Sequence, residues 1–152
     1  MPCTVRPATL ADAATIIDFN RLLAQESEGK ALDPELLAPG VRAGLIDSNK
    51  GRYFIAEDAG AIAGQMGITY EWSDWRNGMV WWIQSVYVIP EARKQGLYAG
   101  LYEHIKNLVR ADESVRGIRL YVDQRNTAAQ QVYSRLGMNG EHYQVFEWMK
   151  DF

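Results

Sequence analysis

The stretch Ser85-Val86-Tyr87-Val88-Ile89-Pro90-Glu91-Ala92-Arg93-Lys94-Gln95-Gly96-Leu97 has the residue types that hold an anion. It reads as strand, proline-marked loop, basic pair, glycine and helix start. A helix start presents backbone N–H groups without intrahelical acceptors and the positive end of the dipole. Gly96 removes a side chain where a ligand must approach the backbone, and Arg93 and Lys94 add charge. Phosphate or pyrophosphate suits such a site. The alternative is an ordinary strand-to-helix turn with solvated basic residues. Neither G-x-x-x-x-G-K-[ST] nor G-x-G-x-x-G occurs, so neither a P-loop nucleotide site nor a dinucleotide site is indicated.

A second constellation follows: Asn126-Thr127-Ala128-Ala129-Gln130-Gln131-Val132-Tyr133, then Leu136-Gly137-Met138. Asn126 can cap a helix. Tyr133 lies two turns in, with Ala129 one turn before it on the same face, which leaves a slot beside the ring. The alternative is that Tyr133 is core.

The elements that must position these residues alternate between strand and helix. Cys3–Arg6 reads as a short strand, and residues 10–25 as an amphipathic helix begun by Thr9 and Asp12. Asp33-Pro34-Glu35 marks a second helix start, and Pro39 predicts a kink in it or a later beginning. Arg52–Glu57 and Ala61–Tyr70 read as strands. Asn77-Gly78 is a hairpin signal, and Val80–Ile89 follows it. On that strand Val80, Trp82, Gln84, Val86 and Val88 share one face. Trp81, Ile83, Ser85, Tyr87 and Ile89 share the other. Both faces are largely apolar, which predicts a central strand covered on both sides. Gly96 to about Arg110 is a helix with Leu97, Leu101, Ile105 and Leu108 on one stripe. Ile118–Val122 is a short strand, and Asn126–Leu136 a helix that Gly137 ends. Tyr143–Trp148 alternates and reads as a final strand. A meander followed by βαβ predicts an α/β fold: a mixed sheet with helices on both faces.

Length and composition bound the function. The chain of 152 residues is 47% hydrophobic and reads as one domain over 1–152. Its formal charge of −3 argues against a nucleic-acid partner, because duplex affinity rests on Lys and Arg neutralising phosphates. Cys3 is the one cysteine, so no internal disulfide forms. His104 and His142 are the two histidines, so no zinc-ligand spacing exists and no metal is expected. No apolar run approaches a membrane span, and no signal peptide is visible. A cytoplasmic protein with no membrane partner is the expectation.

Together these segments resemble the GNAT superfamily of N-acetyltransferases over nearly the whole order of elements, most specifically from Trp82 to Met138. The family's [Q/R]-x-x-G-x-[G/A] motif, which binds the pyrophosphate of acetyl-CoA, is matched by Arg93, Lys94, Gln95 and Gly96. Tyr98 departs from it, standing where the family has Gly or Ala. The family's N-x-x-A-x-x-x-Y-x-x-x-G-[FM] motif is matched in full by Asn126, Ala129, Tyr133, Gly137 and Met138. The resemblance implies acetyl-CoA as co-substrate, bound by Val86, Tyr87, Val88, Arg93, Lys94, Gln95, Gly96, Leu97, Tyr98, Ala99, Asn126, Ala129 and Tyr133. It implies a splayed strand pair that admits the pantetheine arm, and a strand N–H that stabilises the oxyanion. It implies direct attack by an amine, so Cys3 is not needed as nucleophile. Tyr133 would protonate the departing thiolate. A homodimer is common among relatives.

The segment from Tyr70 to Val88 is similar to polyamine and diamine acetyltransferases, which place a glutamate where Gln84 stands. Gln84 can orient a water or the substrate but cannot act as base. Glu71, Glu26 and Glu28 are then the candidate bases, Glu71 first; each is otherwise a solvated surface carboxylate. These acids also suggest a cationic acceptor, with Glu26 and Glu28 among its contacts. Trp72 and Trp75 fall in a presumed loop and either wall the acceptor site or form a dimer interface. The leading expectation is acetyl transfer from acetyl-CoA to a small amine. The alternatives are acetylation of a protein amine, or an acyl-CoA-binding module without transfer activity.

Overall fold

Arg6 ties the beginning of the chain together. Its guanidinium donates two bonds of 2.9 Å to the Asp12 carboxylate and one of 2.8 Å to Glu57. Asp12 also accepts from the Thr9 N–H at 2.7 Å, the reach-back half of a capping box. The computed structural model describes residues 3–150, in two units that divide after Arg119.

The first unit holds the sheet. β1 (Cys3–Pro7), β2 (Arg52–Asp58), β3 (Ala61–Ser73), β4 (Gly78–Val88) and β5 (Val115–Arg119) lie side by side in chain order. The first four pair antiparallel; β5 runs parallel to β4. A parallel neighbour needs a crossover, and α3 (Leu97–Ala111) supplies it. On β2, Phe54 meets His104 of α3 with ring centroids 5.5 Å apart. The next residue, Ile55, packs with Ile16 of α1 (Ala13–Glu28) and Val41 of α2 (Pro34–Ile46). Neighbouring strand residues point to opposite faces, so helices cover both faces of a mixed sheet, as the sequence predicts.

Several boundaries differ from the sequence expectation. α1 runs on to Glu28 because its stop signal is Gly29 at φ 60, whose N–H returns to Gln25 O. Glu26 and Glu28 are therefore last-turn residues, not loop residues. α2 starts at Pro34, capped by Asp33 accepting from the Glu35 N–H, and continues through Pro39. The hairpin loop is Asp74–Asn77, with Asn77 at φ 48, and Gly78 already pairs with Ser73. A Cβ at Gly78 would lie 2.8 Å from Ser114 O, so this glycine serves close packing and not the turn. β5 forms earlier than predicted, at Val115–Arg119.

In the second unit, α4 (Thr127–Arg135) forms where predicted. Asn126 Oδ1 accepts from the Ala129 N–H at 3.1 Å. Gly137 takes φ 87, and the Met138 N–H reaches back to Tyr133 O, closing the helix in a Schellman motif. Tyr143–Trp148 is not a strand. Alternation alone does not make one: a strand needs a ladder, and among the described residues no backbone ladder includes this segment.

Candidate active site

β4 has two halves. From Met79 to Trp82 it is flanked on both sides, by β3 and by β5. The β4–β5 register ends at Trp82↔Arg119, and from Ile83 to Val88 the one paired strand among the described residues is β3. Along that half the other edge of β4 has no strand ladder among the described residues, and of its backbone acceptors Val88 O is taken by Arg93.

The open half also carries a bulge. Gln65 pairs with Tyr87 and Gly67 with Gln84, so Ser85 and Val86 together oppose Met66. Ser85 takes φ 54, a left-handed conformation costing about 1–2 kcal/mol for an L-residue. The extra residue turns Tyr87 onto the Gln84 face, where its ring packs 5.1 Å from Phe19 of α1. Strict alternation had placed Tyr87 opposite to Gln84; the bulge is the reason it is not. Burial, and then the Glu26 charge, push the Tyr87 phenol up from its ordinary value.

Beyond β4 the chain forms an N–H-rich loop. Lys94 takes φ 61 and Gly96 φ 82, directly before α3. A Cβ on Gly96 would meet nothing within 4 Å. Glycine is therefore required by the backbone angle, and the space in front of it is open. The Gly100 N–H makes a helix bond to Gly96 O, so the N–H groups of Leu97, Tyr98 and Ala99 precede the first intrahelical acceptor. Successive N–H groups around a left-handed residue form an anion nest, which fits a pyrophosphate. Tyr98 leaves the nest uncovered in one respect: its ring is parallel to Tyr102, one turn on, with centroids 6.5 Å apart. Leu97 is buried as the anchor, while Lys94, Gln95 and Ala99 are exposed.

Arg93 is held rather than free to swing. Its Nε donates to Val88 O at 2.9 Å and its Nη2 to Glu26 at 2.7 Å, and it lies 5.5 Å over the Tyr87 ring. Glu26, expected as a base or substrate contact, thus ties α1 to the loop before α3. Glu28 is exposed two residues further on.

A polar strip runs along the same face. Gln84 donates to Thr69 Oγ1 at 3.3 Å. Glu71 accepts from Trp82 Nε1 at 3.0 Å and from Arg119 at 2.8 Å. The Trp82 bond, followed by Arg119, holds the Glu71 carboxyl below its ordinary range. Glu71 pairs with Val80; because the bulge puts Val86 opposite Met66, five ladder positions separate Glu71 from Val86, or about 17 Å. Trp72 alternates to the other face from Glu71, and Trp75 sits in the hairpin loop, 90% exposed. Neither lies beside the open half of β4. Cys3 is on β1, three strands from β4.

Sequence reasoning missed Gln65, Asn20 and Arg119. The one signal available was Gly64-Gln65-Met66-Gly67, glycines inside a strand, which mark close backbone approach.

These features match a known family. Residues 17–138 fit the model of the acetyltransferase (GNAT) family. The chain belongs to the GNAT family. Among solved structures, this GNAT chain is similar to a possible acetyltransferase from Clostridium difficile 630: 41% identity, 100% of both chains covered, TM-score 0.92. It shares its fold with an acetyltransferase from Clostridium acetobutylicum described with acetyl-CoA: 18% identity, 99% and 96% covered, TM-score 0.74. It also shares it with an aminoglycoside acetyltransferase from an uncultured soil metagenomic sample: 18% identity, 100% and 99% covered, TM-score 0.72. The curated proteins gave no match. As a GNAT member the chain is an acyltransferase of a family that uses acetyl-CoA, which decides between enzyme and binding module. Among the described residues no helix is long and apolar enough to cross a membrane, and no cluster of His, Cys, Asp and Glu could hold a metal.

Proposed function

We propose that this GNAT enzyme transfers the acetyl group of acetyl-CoA directly to a primary amine of a small molecule, in a ternary complex. The observation that carries the reading is the open edge of β4 from Ile83 to Val88, continuous with the N–H nest before α3. When bound, acetyl-CoA supplies the activated acyl group. The backbone of Val86 and the Val88 N–H, which alternate away from β3, pair with the pantetheine arm, with Tyr87 between them bonded back to β3 and Val88 O held by Arg93, and the loop from Arg93 to Ala99 holds the pyrophosphate. The Val86 N–H stabilises the oxyanion. Gln84, fixed on Thr69, orients the amine or a water that takes its proton. Tyr133 gives a proton to the thiolate; with free pKa values of ~10 for a phenol and ~8.5 for a thiol the transfer is uphill by only roughly 1.5 pH units, so a phenol that is protonated at neutral pH can serve as general acid while the C–S bond breaks. Its role rests on the matched motif with Asn126 and Ala129.

Glu71 serves at the far end of the strip. A carboxylate about 17 Å along the sheet from Val86 is too far to take the amine proton itself, which is left to the water held by Gln84. Its charge favours a cationic acceptor, and an extended one reaches from Val86 toward Glu71. Residues 1–152 act as one domain in this reading, in the cytoplasm and as a homodimer, with exposed Trp72 and Trp75 as an apolar contact patch.

The test is release of CoA thiol from acetyl-CoA with pooled polyamines, amino acids, aminoglycosides and lysine peptides. Release with one of the three small-amine pools is expected. Release with the lysine peptides alone would replace the small amine by a protein amine. No release from enzyme that binds acetyl-CoA would overturn the reading for all these acceptors.

A further inference from the structure

Gln65 has no exposed surface, and its Oε1 has no hydrogen-bond partner. An unpaired buried acceptor is costly, and methionine would fill similar volume without that cost. The amide must therefore be explained by its other end. Gln65 Nε2 donates to Ser85 O at 2.9 Å. Asn20 Oδ1, on α1, lies 3.5 Å from the same nitrogen, and Asn20 Nδ2 donates to Tyr53 OH at 3.4 Å. A short polar chain thus runs from β2 through α1 and β3 to the bulge.

Its end point is the strained residue. Ser85 takes φ 54, and the protein has no cis peptide bond among its described residues. A trans peptide sets its C=O and the following N–H on opposite sides. Fixing Ser85 O toward Gln65 therefore turns the Val86 N–H away from Gln65. The flanking glycines support this arrangement. A Cβ at Gly64 would lie 2.9 Å from Tyr87 O, and one at Gly67 3.1 Å from Gln84 O, so both let β4 close on β3 around the bulge.

We infer that Gln65 is a positioning residue for acyl transfer: it holds the Ser85 peptide in its left-handed turn and so aims the Val86 N–H at the thioester oxygen. This rests on the acyl-transfer reading above. Gln65 itself touches neither substrate.

The experiment compares wild type with Gln65→Met in two readouts. One is the infrared carbonyl stretch of bound acetyl-CoA labelled with carbon-13 at the carbonyl. The other is steady-state kinetics with the acceptor found. In wild type the stretch moves to lower frequency on binding. In Gln65→Met it returns toward the unbound value. kcat falls roughly tenfold to a hundredfold, while acceptor KM and acetyl-CoA Kd stay within about twofold. Adding Ser85→Gly restores both readouts in part, because glycine takes positive φ without strain; a packing role would not be rescued this way. Where Gln65→Met does not fold, Gln65→Asn, too short to reach Ser85 O, replaces it. An unchanged carbonyl frequency, with or without a loss of kcat, overturns the inference. The carbonyl readout needs no acceptor, so it stands even where the small-amine reading fails.

Discussion

The two halves of β4 share one strand and have opposite characters. From Met79 to Trp82 the strand is paired on both sides, and its side chains build the core: Trp81 is buried, edge-on to Tyr70 and under the Arg52 guanidinium. From Ile83 to Val88 one edge is open, the register slips, Ser85 is left-handed and Gln65 is buried with an unpaired oxygen. Regular geometry and apolar contact belong to the half that stabilises the fold. Strain and polar burial gather in the half assigned to chemistry, as expected where function overrides local preference.

Substitutions in each half test this division. Trp81→Ala should have the largest effect, lowering unfolding free energy by about 3–5 kcal/mol in urea titration. The acetyl-CoA Kd, measured at a temperature where the variant is folded, should stay within about threefold. In the open half, Val86→Pro removes the N–H assigned to the oxyanion. It should lower kcat by about a hundredfold or more, because a missing oxyanion donor has a cost of that order. Equal losses of stability in these two variants would break the comparison. Gly96→Val forces a β-branched residue to φ 82; calorimetry should show CoA affinity weakened about tenfold, from a left-handed cost of roughly 1–2 kcal/mol.

The smallest effect is expected from Glu71→Gln. Glu71 titrates below its ordinary value because it accepts from Trp82 and Arg119. A carboxyl with a depressed folded pKa adds stability above its unfolded pKa and loses it as pH falls through the folded one. Wild type should thus lose stability below about pH 4.5, and Glu71→Gln should flatten that loss slightly, since the pair is well exposed. kcat and its pH profile should remain unchanged. A shifted profile would assign Glu71 to the proton path after all.

Much of this was legible in the residues. The Asn126 cap and the Gly137 stop act through neighbours three or four positions away, and both formed as read. The motif from Arg93 to Gly96 marked the nest for the same reason, since backbone angle and helix start are local properties. What was not legible depends on pairing between distant segments. Alternation through β4 gave Tyr87 the wrong face because a bulge is decided by how β3 sits against it. Glu26 read as a candidate base or a solvated surface carboxylate, and only the tertiary fold brings it 2.7 Å from Arg93. Tyr143–Trp148 has the pattern of a strand, but among the described residues no backbone ladder includes it. Gln65 looked like an unremarked polar residue in a strand, since its meaning lies in the carbonyl it faces.

The most direct test of the central claim is a crystal structure with acetyl-CoA bound. The account predicts the pantetheine arm along the open edge of β4, hydrogen-bonded to the backbone between Val86 and Val88. It also predicts the thioester oxygen within about 3 Å of the Val86 nitrogen. Acetyl-CoA bound elsewhere, or a thioester oxygen directed away from Val86, would contradict it.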